Sequence, residues 1–155
     1  MSVAFRRESD EEHKEPRFEL PIPPGPNLVT AAGYRQAEAR VAELKDKVAA
    51  EMDEGRLAEA KRDLRYWNTR LATAEIAPPP PAGEAAFGSR VTFRQNGRER
   101  IVDLVGDDEA DPAAGRIAFS APLARALIGA GPGDYSDFNG EADAIEIVSV
   151  EAIES

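Results

Sequence analysis

Apolar and small residues recur at two alternating spacings through the first half of the chain. Tyr34, Ala37, Val41, Leu44 and Val48 follow one another at steps of 3, 4, 3 and 4. Leu57, Ala60, Leu64, Trp67, Leu71 and Ala74 continue at 3, 4, 3, 4 and 3. Alternating threes and fours keep every member on one stripe of a helix, which is the seam of a coiled coil. Thr30, ahead of Ala31-Ala32-Gly33, is placed to cap the first helix, because its hydroxyl can meet an orphan amide of the first turn. Between the two series, Glu51-Met52-Asp53-Glu54-Gly55 supplies a turn. In an antiparallel pair the position numbers of facing residues have a constant sum. That sum is 105 for 34 with 71, 41 with 64 and 48 with 57, and 104 for 37 with 67 and 44 with 60. The tip therefore falls at Met52-Asp53. Each arm, measured from Thr30 to Ala50, is 21 residues, roughly 31 Å at 1.5 Å per residue. Balanced charge on the outer positions (Arg35, Glu38, Arg40, Glu43, Lys45, Asp46, Lys47) suits helices solvated on their outer sides. These patterns predict an antiparallel coiled-coil hairpin over residues 28–77.

The second half changes period. Arg90-Val91-Thr92-Phe93-Arg94 alternates polar and apolar residues, Asn96-Gly97 is a two-residue hairpin signal, and Arg100 to Val105 returns as the partner strand. Arg116 to Ser120 and Ala144 to Val150 read as further strands. Pro122 opens a short helix through Ile128 at the one position where proline fits a helix, and Gly129 ends it. The expectation is an α+β fold, with the helical hairpin followed by a small, mostly antiparallel sheet and one helix across its face. Ala77-Pro78-Pro79-Pro80-Pro81-Ala82-Gly83 marks the boundary as a stiff linker, assigned to residues 78–85, and the sheet domain takes residues 86–155. Four prolines between Pro21 and Pro26 exclude helix from the end of the N-terminal segment. Residues 1–27 are accordingly expected as a flexible, polyproline-like strap.

Charge sharpens this division. The 155 residues carry 29 acids and 19 bases, a net charge of −10. Residues 1–27 contribute −2, residues 28–76 contribute 0, and residues 77–155 contribute −8. An acidic sheet domain is a poor match to a nucleic-acid backbone, which selects a surplus of Lys and Arg. With no cysteine and a single histidine, His13, thiolate chemistry, His-based triads and multi-histidine metal sites are excluded. No apolar run approaches the roughly 20 residues that span a bilayer, and Met1 to Lys14 lacks the apolar core of a signal peptide. The reading is a soluble, acidic, cytoplasmic protein.

At Gly106-Asp107-Asp108-Glu109-Ala110-Asp111, followed by Ile117 to Gly129, the sequence resembles the C-terminal domain of the GreA/GreB transcription elongation factors. Phe87 to Thr92 and Gly131 to Asp134 fit the same pattern in order, and Asn27 to Gly33 is similar to the start of the Gre coiled coil. The resemblance implies an FKBP-like sheet domain. It further implies that this domain docks on bacterial RNA polymerase while the coiled coil enters the secondary channel, in indirect contact with the DNA and RNA of the elongation complex. The docking residues it implies are Asp107, Asp108, Glu109, Asp111, Pro122 and Arg125, an anionic loop beside a proline-started helix and suited to steering toward a basic partner. The family usually carries Ser directly before this proline; here that position is Ala121, with Ser120 one place earlier.

The tip departs further from the family. Glu51 and Glu54 have the three-residue spacing of the family's acidic pair, with Asp53 between them, but the surrounding loop motif does not match. The resemblance assigns these three side chains to assistance of a magnesium ion shared in the polymerase active centre, in stimulated cleavage of backtracked transcripts. On this reading the protein is a monomer with no cofactor of its own, no stably bound metal and no enzymatic activity of its own. The coil is shorter than a Gre coil by several turns, which brings the chain close to the Rnk-type regulators, relatives that compete for the channel without cleavage. An FKBP-like domain also suggests a peptidyl-prolyl isomerase, which needs an aromatic-lined pocket; the residues available are Phe87, Phe93, Phe119, Tyr135 and Phe138.

Overall fold

The structure, a computed structural model, describes residues 19–153. Most of the expected strap 1–27 lies outside them, as do Glu154 and Ser155. The described chain forms two compact units. One comprises residues 19–25 and Tyr34–Ala74, and the other comprises Pro26–Gly33 and residues 75–153.

The first unit is built on two helices of 20 residues each, α1 (Ala31–Ala50) and α2 (Glu54–Thr73), joined by the three residues Glu51 to Asp53. Each spans about 30 Å at 1.5 Å per residue. The predicted seam is where burial falls. Ala37, Val41 and Leu44 of α1 and Ala60 of α2 are buried, while Val48, Leu57, Leu64, Trp67 and Leu71 are half-buried. Leu44, at 1% exposure, is covered by more than its own helix. Arg70, just off the predicted stripe, is also buried, and its guanidinium carbon lies 6.0 Å from the centre of the Tyr66 ring. Tyr66 in turn meets Trp67 edge-on at 5.5 Å. Residues 19–25 run without regular structure. Glu19 is held by Arg65, whose Nε and Nη2 donate to its carboxylate at 2.6 and 2.9 Å. These bonds hold the Glu19 carboxyl below its ordinary range, assisted by the charges of Arg65 and Arg62. Leu20 is half-buried and Ile22 exposed.

The second unit is a five-stranded sheet with one helix. In chain order its elements are β1 (Leu28–Val29), β2 (Glu75–Ile76), β3 (Ser89–Gln95), β4 (Arg98–Val105), β5 (Arg116–Ala118), α3 (Pro122–Leu127), β6 (Tyr135–Phe138) and β7 (Glu141–Ala152). The sheet order is β5-β4-β3-β7-β6. It is antiparallel except that β5 lies parallel to β4, a mostly antiparallel sheet as expected. The ten residues Gly106 to Gly115 carry the chain back to start β5 in the same direction as β4. They do so in two short 3-10 turns, Asp107–Glu109 and Pro112–Ala114.

The expected Asn96-Gly97 turn joins β3 to β4, with φ of 53° and 76°, the left-handed pair that a two-residue hairpin demands. A second such pair, Asn139 and Gly140 at 57° and 82°, joins β6 to β7. Alternation along β3, β4 and β7 sends Val91, Phe93, Val102, Leu104, Ile145 and Ile147 to one face, where Ala124 and Leu127 of α3 complete the core. Each of these side chains other than Ala124 contributes about 1.5–3 kcal/mol by leaving water. The other face is polar: Arg90 donates to Asp103 at 2.8 and 3.1 Å, and Arg94 stands 3.8 Å from Glu99 and 3.6 Å from Glu146.

Strands β1 and β2 form a separate parallel pair, with the Glu75 amide donating to the Asn27 carbonyl at 2.9 Å and the Ala77 amide to the Val29 carbonyl at 3.0 Å. Parallel neighbours need a long connection, and here the helical hairpin is that connection. The first turn of α1 belongs to this sheet unit.

Candidate functional site

Two groups of residues carry the chemistry, one in each unit. In the hairpin unit, the turn between α1 and α2 is made largely by its own acids. Asp53 is the N-cap of α2, its Oδ2 accepting from the Arg56 amide at 2.9 Å. Glu51 Oε2 accepts from the Asp53 amide at 3.1 Å. Glu54 begins the helix, where a negative charge faces the positive end of the dipole. Met52 stands at the apex, 95% exposed. Among the described residues no group of three or more acidic or histidine side chains converges where a metal ion could be held.

In the sheet unit, the loop after β4 and the start of α3 come together. The Ser120 hydroxyl donates to Asp107 Oδ1 at 2.9 Å, tying the loop to the turn that leads into α3. Pro122 opens α3 with Ala121 as N-cap. Pro122 and Arg125 are exposed, and Asp107 and Asp108 are half-buried. Asp111 is exposed and faces Arg116 at 3.7 Å. The serine at 120 makes its own bond into the acidic loop, from one place before the position where the family carries serine.

Glu109 is placed differently. It is 8% exposed, and its carboxylate turns inward. Oε2 accepts from the Thr30 amide and from the Gly106 amide, both at 3.1 Å, and Oε1 accepts from the Thr30 hydroxyl. That hydroxyl in turn accepts from the Gly33 amide at 3.0 Å, the predicted N-cap of α1. A Cβ on Gly33 would overlap the Glu109 carboxyl group, and one on Gly106 would fall on the Leu28 carbonyl oxygen. Of the six side chains singled out for docking, Glu109 is thus occupied inside the fold. The sequence offered one hint of this seat, a glycine in the first helical turn where alanine would be the ordinary choice.

Among the described residues, the five aromatics considered for an isomerase pocket do not gather into one. Phe93 is in the core and Phe138 packs against it. Phe87 and Phe119 meet edge-on at 5.3 Å, and Tyr135 is exposed. A cleft of about 520 Å³ lies in the sheet unit between Ile76, Pro78, Pro80 and Ile153, with Phe87 the only aromatic among the described residues that line it.

Residues 80–154 match the family model described as transcription elongation factor, GreA/GreB, C-term. A GreA of Brucella anthropi is 33% identical over 138 residues, covering 83% of this chain and 83% of that protein. The chain belongs to the GreA/GreB family. A GreB of Neisseria meningitidis serogroup B is 38% identical over 104 residues, which are 63% of this chain and 64% of that protein, so this match spans just under two thirds of the relative. Among solved structures, a GreA/GreB elongation factor from Nitrosomonas europaea aligns with a TM-score of 0.39 at 23% identity, covering 79% of this chain and 97% of that one. Membership of the GreA/GreB family rests on the sequence relatives and not on that superposition. The family model falls on the sheet unit, so the acidic loop and α3 lie within its match.

Proposed function

We propose that this protein is a transcription elongation factor that binds bacterial RNA polymerase through Asp107, Asp108, Asp111, Pro122 and Arg125 and presents its helical hairpin to the secondary channel. The observation that carries the reading is the acidic loop bonded through Asp107 to the approach of a proline-started helix, inside a segment that matches the family model. An anionic loop with half-buried Asp107 and Asp108 and exposed Asp111 steers encounter with a basic partner, and its effect is largest on the association rate. The test is binding of core polymerase by Asp107→Lys/Asp108→Lys, with the melting temperature as a check on folding. Weakened association supports the surface, and unchanged association removes it.

Stimulated transcript cleavage is the finer question, and the tip favours the non-cleaving reading. Two of its three carboxylates, Glu51 and Asp53, accept backbone bonds that shape the turn, and the apex is the apolar Met52. With arms of 20 residues, the protein would compete with longer channel-binding factors. The comparison is cleavage in a backtracked elongation complex with wild type and with Asp53→Asn/Glu54→Gln. Strong cleavage by the wild type that the variant abolishes would establish a cleavage factor, since such a loss reports interactions made in the transition state.

A further inference from the structure

Glu109 sits in the middle of the acidic loop, yet its bonds lead out of it. Thr30 is 79 positions away in sequence, and the carboxylate takes both of its donors together with the Gly106 amide. The loop around it is a tight turn, closed by the Glu109 amide donating to the Gly106 carbonyl at 3.1 Å and the Ala110 amide to the Asp107 carbonyl at 3.4 Å. Asp107, Asp108 and Glu109 therefore cannot shift independently. On the other side, Thr30 is the cap of α1, and its hydroxyl holds the Gly33 amide. A carboxylate at this end of a helix is also favoured by the dipole. The space it occupies is kept open by two glycines that admit no side chain.

We propose that Glu109 is a positioning residue that joins the acidic loop to the first turn of α1, so that a partner engaging the loop alters the root of the hairpin. The loop and residues 30–33 move as one piece. Withdrawing the loop removes the acceptor for the Thr30 amide and the partner of the Thr30 hydroxyl, and so loosens the cap on Gly33. The proposal rests on the docking reading only for the identity of the partner. The seat itself is a property of the free protein.

Residue-resolved amide exchange tests both parts. In the free protein, Glu109→Ala is expected to speed exchange at Thr30, Gly33 and Gly106 together, by tenfold or more, while the amides of β3 keep their rates. Gly33 is the informative position, because its amide is bonded to Thr30 and not to Glu109. Should Glu109→Ala unfold, Glu109→Gln, which keeps the shape and one acceptor, gives the same ordering with smaller changes. Thr30→Ser keeps the wild-type rates and Thr30→Val does not. Acceleration confined to Gly106 would overturn the proposal, making Glu109 a residue of its own loop alone. With core polymerase added, protection at Thr30 and Gly33 is expected to rise in the wild type and not in Glu109→Gln. Binding without any change at those two amides overturns the coupling. Absence of binding by the wild type overturns the docking reading instead, and the free-protein rates still decide the seat.

Discussion

Gly33 and Glu109 set two effects of known size against each other. Replacing a glycine in a helix by alanine ordinarily gains up to about 1 kcal/mol. At Gly33 the new methyl group would meet the Glu109 carboxyl. That group is the end of a side chain and could swing aside, but only by giving up its bonds to Thr30 and Gly106. Hydrogen bonds to a charged group are worth about 1.5–3 kcal/mol each, so the loss wins. Gly33→Ala is expected to destabilise the protein by at least about 2 kcal/mol, a fall in melting temperature of several degrees or more for a chain of this size. In the Glu109→Ala background the same methyl fills vacated space, and its cost should largely disappear; such non-additivity is expected only of residues in contact. Equal costs in the two backgrounds would show that the seat does not constrain residue 33.

Among the elements, the helices were the most legible, and the reason is length. Two stripes of five and six positions average out local accidents, and the constant pair sum placed the turn at 52–53, within the observed Glu51 to Asp53. The sequence also located the Asn96-Gly97 hairpin, because left-handed φ at two successive positions is a demand few residues meet. Strands β1 and β2 have two residues each, too few for any period to register. Strand β6 shows no clean alternation in Tyr135-Ser136-Asp137-Phe138, though Asn139-Gly140 behind it was the same hairpin signal as the first. Glu109 was not separable from Asp107 and Asp108 at all. An acid within an acidic run reads as solvated, and only the fold brings Thr30 to it. Element stability gives two further expectations. Asp53→Ala removes the cap of α2 and should cost about 1 kcal/mol, measured by denaturant unfolding. The Glu19 carboxyl, held low by Arg65, should titrate below the ordinary carboxylate range in an NMR titration. Because its folded value is depressed, the tether is complete above the unfolded value and is lost as pH falls through the folded one. A midpoint at the ordinary value would mean that Arg65 does not hold it in solution.

At the scale of the whole molecule, charge and architecture divide the work. The hairpin is nearly neutral, whereas residues 77–155 carry −8 of the net −10, and the acidic loop and α3 belong to that segment. Under the proposed function, docking is performed by this loop and by α3, and the tip contributes nothing to affinity. Reversal at the loop and substitution at the tip should therefore separate cleanly, and only the loop variant should respond to salt as a steering surface does. The most direct measurement is the association rate with core RNA polymerase at low and at physiological salt, for the wild type, Asp107→Lys/Asp108→Lys and Asp53→Asn/Glu54→Gln. The expected result is a loss of about tenfold or more for the loop variant at low salt, shrinking as salt is raised, with the tip variant unchanged. A correctly folded loop variant that associates as fast as the wild type would contradict it.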